Sequence, residues 1–236
     1  MAIQRRRMLT AALGGAFSAS LLTAGRVDAA PAPVLEKPTA DNPIIACYNE
    51  NPLGLSAAAR KAVADSAAVA NRYPFVRCEV LRKACAQLMG GKPEEIVLSQ
   101  GSAEAIRASV EAHNGPGASL ITAELTYSDG QMAAVRNNIP VIKVKMGPNW
   151  SMDIPAMKAA AAEAAKKGTA IVYFVNPNNP TSTIADTNAL FDWIRGKPAN
   201  TVFILDEAYA EFVEDKSYRS AAELVREGLD NVIVLK

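Results

Sequence analysis

Residues 171–184 read "IVYFVNPNNPTSTI": an unbroken apolar run passes directly into a turn holding two prolines and three asparagines. The run has the composition of a buried strand. Proline fixes its own backbone angle and carries no N–H to continue a ladder, so the strand stops there. Two readings of the turn stay open at this point. It is chain punctuation, or it holds an amide at a fixed place beyond a sheet edge where a ligand sits.

Working outward, short apolar runs recur at 96–99, 119–123, 140–144, 170–175, 201–206 and 231–235. Helical patterns alternate with them at 102–113, 127–138, 153–167, 186–195 and 220–228, after two earlier helices at 56–70 and 78–91. Ser56 reads as an N-cap, and Gly90 with Gly91 closes the second helix. Alternating strands and helices predict an α/β fold, a mostly parallel sheet with helices on both faces. The expected organisation is an export signal over 1–30, then a linker, arm and helix over 31–72. A cofactor-binding domain follows over 73–236.

Half of the 236 residues are hydrophobic and 21% are charged, an ordinary globular balance. A formal net charge of +1 argues against nucleic-acid binding, which needs an excess of Lys and Arg. A single histidine, His113, forms no cluster, and Cys47, Cys78 and Cys85 lack metal-ligand spacing. No metal site is expected, and the cysteines read as free thiols used for packing. The N-terminus has a basic head, Arg5, Arg6 and Arg7, before a small-residue apolar stretch and "VDAAPAP". That pattern resembles a twin-arginine export signal and predicts a periplasmic protein. The stretch falls short of a membrane span.

In an open parallel sheet, ligands bind beyond the carboxyl ends of the strands. The residues there are "QGSAE" (100–104), "ELTYSDG" (124–130), "NPNNPTS" (176–182) and "DEAY" (206–209). Gly101 and Ser102 open a helix whose first N–H groups suit a phosphate, although a serine there is also an ordinary cap. No Walker lysine or GxGxxG follows a strand, against a nucleoside triphosphate or dinucleotide. Asp206 ends an apolar strand, where a carboxylate is costly without a partner; taken alone it also reads as a helix cap or a structural ion pair. Asn179, Tyr209 and Tyr127 project from neighbouring strand ends. The set suits a flat aromatic ring bearing a phosphate, with Tyr127 on its face, Asp206 on a ring nitrogen, and Asn179 with Tyr209 on a ring oxygen.

Seven stretches, "YNENPLGLS", "NRYP", "EEIVLSQGSAEAI", "ELTYSDG", "VNPNNPTSTI", "LDEAYAEF" and "NVIVLK", resemble in order those of fold-type I pyridoxal-phosphate enzymes. The resemblance covers about residues 45–236 and is strongest to the histidinol-phosphate branch of the class I/II aminotransferases. It implies pyridoxal 5'-phosphate as cofactor and transamination between an amino acid and a 2-oxo acid. Decarboxylation of a phospho-amino acid, or a remnant without turnover, is the alternative. By the resemblance, Ser102, Ala103 and Glu104 hold the cofactor phosphate and Tyr127 stacks on the ring. Asn179 and Tyr209 bind the phenolic oxygen, and Asp206 keeps the ring nitrogen protonated. It also implies a homodimer in which Tyr73 reaches the other subunit's phosphate, and it puts Asn51 near the substrate.

Three departures stand out. Ser182 replaces the family's usual Gly, and Ala103 often corresponds to Asp. The Schiff-base lysine of the family falls a few residues beyond Lys236, which itself belongs to the strand end. The resemblance therefore implies a truncated chain, lacking the cofactor's covalent anchor and its general base. A family strand between the first and last runs would also be missing, so poor solubility is expected.

Overall fold

The computed structural model describes residues 37–41, 43–45, 47–51 and 53–236. The export signal expected over 1–30 lies outside them. Packing divides the chain into two units, Met1–Tyr73 and Pro74–Lys236.

In the first unit, helix α1 (Ala57–Ser66) begins where expected, because Ser56 Oγ accepts the Ala59 N–H at 3.2 Å. One 3-10 turn, Ala67–Val69, continues it. Asn51 closes a local turn: its Oδ1 accepts the Leu53 N–H at 3.0 Å and its amide donates to the Gly54 carbonyl at 3.2 Å. Tyr73, at the end of this unit, is 85% exposed.

The second unit opens with α2 (Phe75–Met89), stopped by Gly90 at φ 69°, the left-handed geometry that glycine adopts without strain. Then come α3 (Gly101–Ala112), β1 (Ser119–Ala123), α4 (Asp129–Arg136) and β2 (Val141–Val144). After these lie α5 (Ile154–Ala164), β3 (Ala170–Val175), α6 (Thr187–Arg195), β4 (Thr201–Asp206), α7 (Ala222–Arg226) and β5 (Val232–Leu235). The five strands form one wholly parallel sheet in the order β2-β1-β3-β4-β5. Every residue of β1, β3 and β4 is buried, which is why those runs are apolar without alternation. The alanine-rich α5 packs Met157, Ala161 and Ala164 into the core, on β1 and β3. Helices α3 and α4 pack together, as do α5 and α6, supplying the layers over the sheet. Among the described residues no helix is long and apolar enough to cross a membrane.

Two expectations are corrected. The run 96–99 forms no strand. Ile96 is extended, but its N–H goes to Pro93 O at 3.2 Å and its carbonyl accepts Arg82 Nε at 3.1 Å, so neither serves a ladder. A groove of about 550 Å³ separates this segment from β5. Of the cysteines, which are free thiols as expected, Cys47 is exposed and does not serve packing, whereas Cys78 and Cys85 are half-buried on α2.

Candidate functional site

Because β3 lies between β1 and β4, the residues following these three strands face one another at the carboxyl edge. Asp206 is a buried charge there, 2% exposed. Its Oδ2 accepts the Tyr173 hydroxyl at 2.9 Å and its Oδ1 accepts the Ala208 N–H at 3.2 Å. Burial pushes this carboxyl above the ordinary range, the two hydrogen bonds oppose that, and the Asp129 charge adds to it.

Tyr127, just beyond β1, is 36% exposed. Its hydroxyl is pushed up first by burial, then by the Asp129 carboxylate, and further by Asp206 and Tyr209. Those influences bring Tyr127, Asp206 and Tyr209 into one electrostatic neighbourhood, with Asp129 at the head of α4. Half-buried Tyr209 packs its ring against Phe212, centroids 6.4 Å apart.

The opening turn is built by its asparagines, which divide the work. Asn176 Oδ1 accepts the Ala185 N–H at 2.9 Å. Asn178, 3% exposed, accepts the Thr126 hydroxyl at 2.7 Å and donates to Leu125 O at 3.1 Å and Thr181 Oγ1 at 2.8 Å. It thereby stitches the turn after β3 to the loop after β1, one residue before Tyr127. Both proline bonds, Asn176–Pro177 and Asn179–Pro180, are cis. Asn179 is half-buried, and among the described residues no hydrogen bond holds its amide. Ser182 sits at φ 55°, a conformation that favours the family's glycine.

Ser102, Ala103 and Glu104 form the first turn of α3, entered through Gly101 at φ 75°. Ser102 and Ala103 are half-buried, and the Glu104 carboxylate folds back onto the Gln100 N–H. Helix α3 packs on α4, and just past their C-terminal ends Asn114 Nδ2 donates to Asn137 O at 3.3 Å, so both helices start toward the same side of the sheet. Asn51 and Tyr73 belong to the first unit, described above.

Three residues were not singled out from the sequence: Tyr173, Asn178 and Glu207. Glu207 is buried beside Asp206 yet serves other partners. It accepts from Ser220 Oγ and the Ala221 N–H, each at 2.6 Å, and pairs with Lys236 Nζ at 3.1 Å. Lys236 also pairs with Glu211 at 3.2 Å, so its ammonium is committed to carboxylates. Two successive acids after an apolar strand were the available signal, since alternate residues point to opposite faces.

Such a site can receive a cationic N–H on the Asp206 carboxylate, an aromatic plane beside Tyr127, and an anion at the N–H groups of α3.

Residues 43–236 match the family described as "Aminotransferase class I and II". Histidinol-phosphate aminotransferase of Moorella thermoacetica is 34% identical over 188 residues, 80% of this chain and 47% of that protein. A structure from Erwinia carotovora atroseptica, provisionally named a histidinol-phosphate aminotransferase, superposes with a TM-score of 0.80 at 45% identity, covering 84% of this chain and 57% of that one. The Sinorhizobium meliloti histidinol-phosphate aminotransferase, solved with pyridoxal 5'-phosphate, shares the fold with a TM-score of 0.70 at 21% identity, over 79% of this chain and 49% of that one. The chain spans about half the length of the curated relatives it matches. With a wholly parallel sheet, a carboxylate at the end of β4 and an Asn-Pro turn after β3, the chain belongs to the class I and II aminotransferase family.

Proposed function

We propose that this protein binds pyridoxal 5'-phosphate at the strand ends and serves transamination between an amino acid and a 2-oxo acid, as a histidinol-phosphate-aminotransferase-like enzyme. The observation that carries the reading is the buried Asp206 carboxylate, raised by desolvation and sharing its neighbourhood with Tyr127 and Tyr209. A carboxylate there is unfavourable unless a cation meets it, and a protonated pyridine nitrogen is such a cation.

When bound, the cofactor supplies an electron-withdrawing ring that labilises a bond at the substrate's Cα. Asp206 holds the proton on the ring nitrogen. Tyr127 excludes water from one face of the ring. Asn179 and Tyr209 donate to its phenolic oxygen, while the N–H groups of Ser102, Ala103 and Glu104 take the phosphate. Asn51 contributes to the substrate side. A homodimer in which the exposed Tyr73 serves the other subunit's phosphate, and export through the N-terminal arginines, belong to the same proposal.

Equilibrium dialysis against pyridoxal 5'-phosphate tests it. Asp206→Ala is expected to weaken binding at least tenfold, in line with losing one charge-assisted hydrogen bond. Equal affinity of the variant and the unaltered protein would remove Asp206 from the site and end the reading.

A further inference from the structure

We propose that Tyr173 is a positioning residue for the ring-nitrogen carboxylate: its hydroxyl fixes the rotamer of Asp206 and keeps that group anionic in a buried place. The inference rests on the function proposed above and adds a residue to that site.

Registry puts Tyr173 there. On β3 it lies opposite Ile204 of β4, two residues before Asp206, so both side chains leave the sheet on the same face. Strand side chains lean along the strand, and diagonal neighbours across a pair lie within reach of an aromatic ring. The Tyr173 hydroxyl meets Asp206 Oδ2 at 2.9 Å, and both residues are almost wholly buried.

The ring is clamped. Gly130, the second residue of α4, lies so close that an added Cβ would stand 2.5 Å from Tyr173 Cδ1 and 2.7 Å from Cγ. Real side chains do not tolerate such contacts, so the helix start must lack a side chain for the phenol to lie where it does. A residue at the head of α4 thus sets the hydroxyl, and the hydroxyl sets the carboxylate.

The chemistry follows from which partner can change charge. Burial and the neighbouring Asp206 charge push the Tyr173 phenol well above its ordinary range, so it stays a neutral donor. Asp206 feels burial and the Asp129 charge from α4, both favouring protonation, against the hydrogen bonds from Tyr173 and Ala208. Tyr127 and Tyr209, from the loops after β1 and β4, are the other titratable groups of this neighbourhood. A protonated Asp206 accepts a cationic N–H poorly. The Tyr173 bond therefore preserves the acceptor, and it uses one oxygen so that the remaining lone pairs are aimed by a fixed rotamer.

Tyr173→Phe removes only the hydroxyl and leaves the ring that Gly130 packs on. In the ligand-free protein, carbon NMR titration of the Asp206 carboxyl should move to higher pH in the variant. Its affinity for pyridoxal 5'-phosphate should fall roughly tenfold or more. For the 1-deaza analogue, which has no ring nitrogen, the two proteins should bind alike, an equality that general loosening would not produce. Gly130→Ala, which displaces the phenol instead of deleting it, should reproduce the selective loss.

An unchanged Asp206 titration in Tyr173→Phe overturns the inference, whether or not the protein binds cofactor. So does an equal loss of both ligands. If the unaltered protein fails to bind pyridoxal 5'-phosphate while the titration still shifts, the proposed function falls and the Tyr173–Asp206 coupling stands.

Discussion

At the scale of single residues, the two successive acids at the end of β4, Asp206 its last residue and Glu207 the next, have opposite consequences. Asp206 is raised by burial, so its ionised form is disfavoured in the folded, ligand-free protein. For an acid shifted upward on folding, the favourable contribution is complete below its ordinary titration range. It is lost as pH rises through the folded-state value. Asp206→Asn removes that burden and keeps one acceptor, for the Tyr173 hydroxyl, while the longer Ala208 N–H bond is lost. It should melt higher than the unaltered protein at neutral pH, by a few degrees if the gain is about 1 kcal/mol. The gap should close on acidification, and thermal melts at a series of pH values check both the sign and the closing. Glu207 is the reverse case. Its carboxylate satisfies Ser220 Oγ, the Ala221 N–H and Lys236 together. Glu207→Ala leaves buried donors without an acceptor and should cost roughly 2–4 kcal/mol in denaturant unfolding. Glu207→Gln keeps an acceptor for Ala221 and should cost about half as much. The sequence showed two acids in a row but not their allocation. Strand alternation separates their directions, whereas the partners come from Tyr173 and from a loop 13 residues on.

At the scale of elements, continuous apolar runs identified β3 and β4 to the residue, because strands buried on both faces need no alternation. The run 96–99 has the same composition but lies across a groove from β5 and pairs with no strand, so composition alone misassigned it. The turn after β3 was legible as the place where that strand stops. That Asn178 ties the turn down was not legible, because its partners Leu125 and Thr126 lie about fifty residues away in sequence. Within that turn Ser182 holds φ 55°, costly for a residue with a Cβ. Ser182→Gly should raise stability by roughly 0.5–1 kcal/mol, the relief of left-handed strain less the entropy of glycine. Chemical denaturation gives that difference. A loss of stability would mean that the serine side chain supports the turn in a way its backbone angle does not reveal.

At the scale of the whole molecule, the sheet has two edges that are protected unequally. On β2, Lys143 is exposed, and a lysine on an edge strand discourages another chain from pairing there. On β5 the sequence is Val232–Leu235 throughout, with Ile233 and Val234 only half-buried. Beside that edge runs segment 96–99, with Val97 90% exposed, across an apolar groove lined by Ile96, Leu98, Ala105, Ala108 and Val234. Apolar surface next to unpaired strand edge promotes association between chains. Self-association should therefore proceed through this side and not through β2. Val97→Lys places a charge at the mouth of the groove without touching the core, so it should leave the melting temperature within about 1 °C, as surface changes usually do. Sedimentation velocity over a concentration series should show clearly less self-association for the variant, whereas Lys143→Ala should increase association through the opposite edge. If Val97→Lys associates as strongly as the unaltered protein, the contact lies elsewhere, and the exposed apolar residues of α2, Val76 and Leu88, become the surface to alter next.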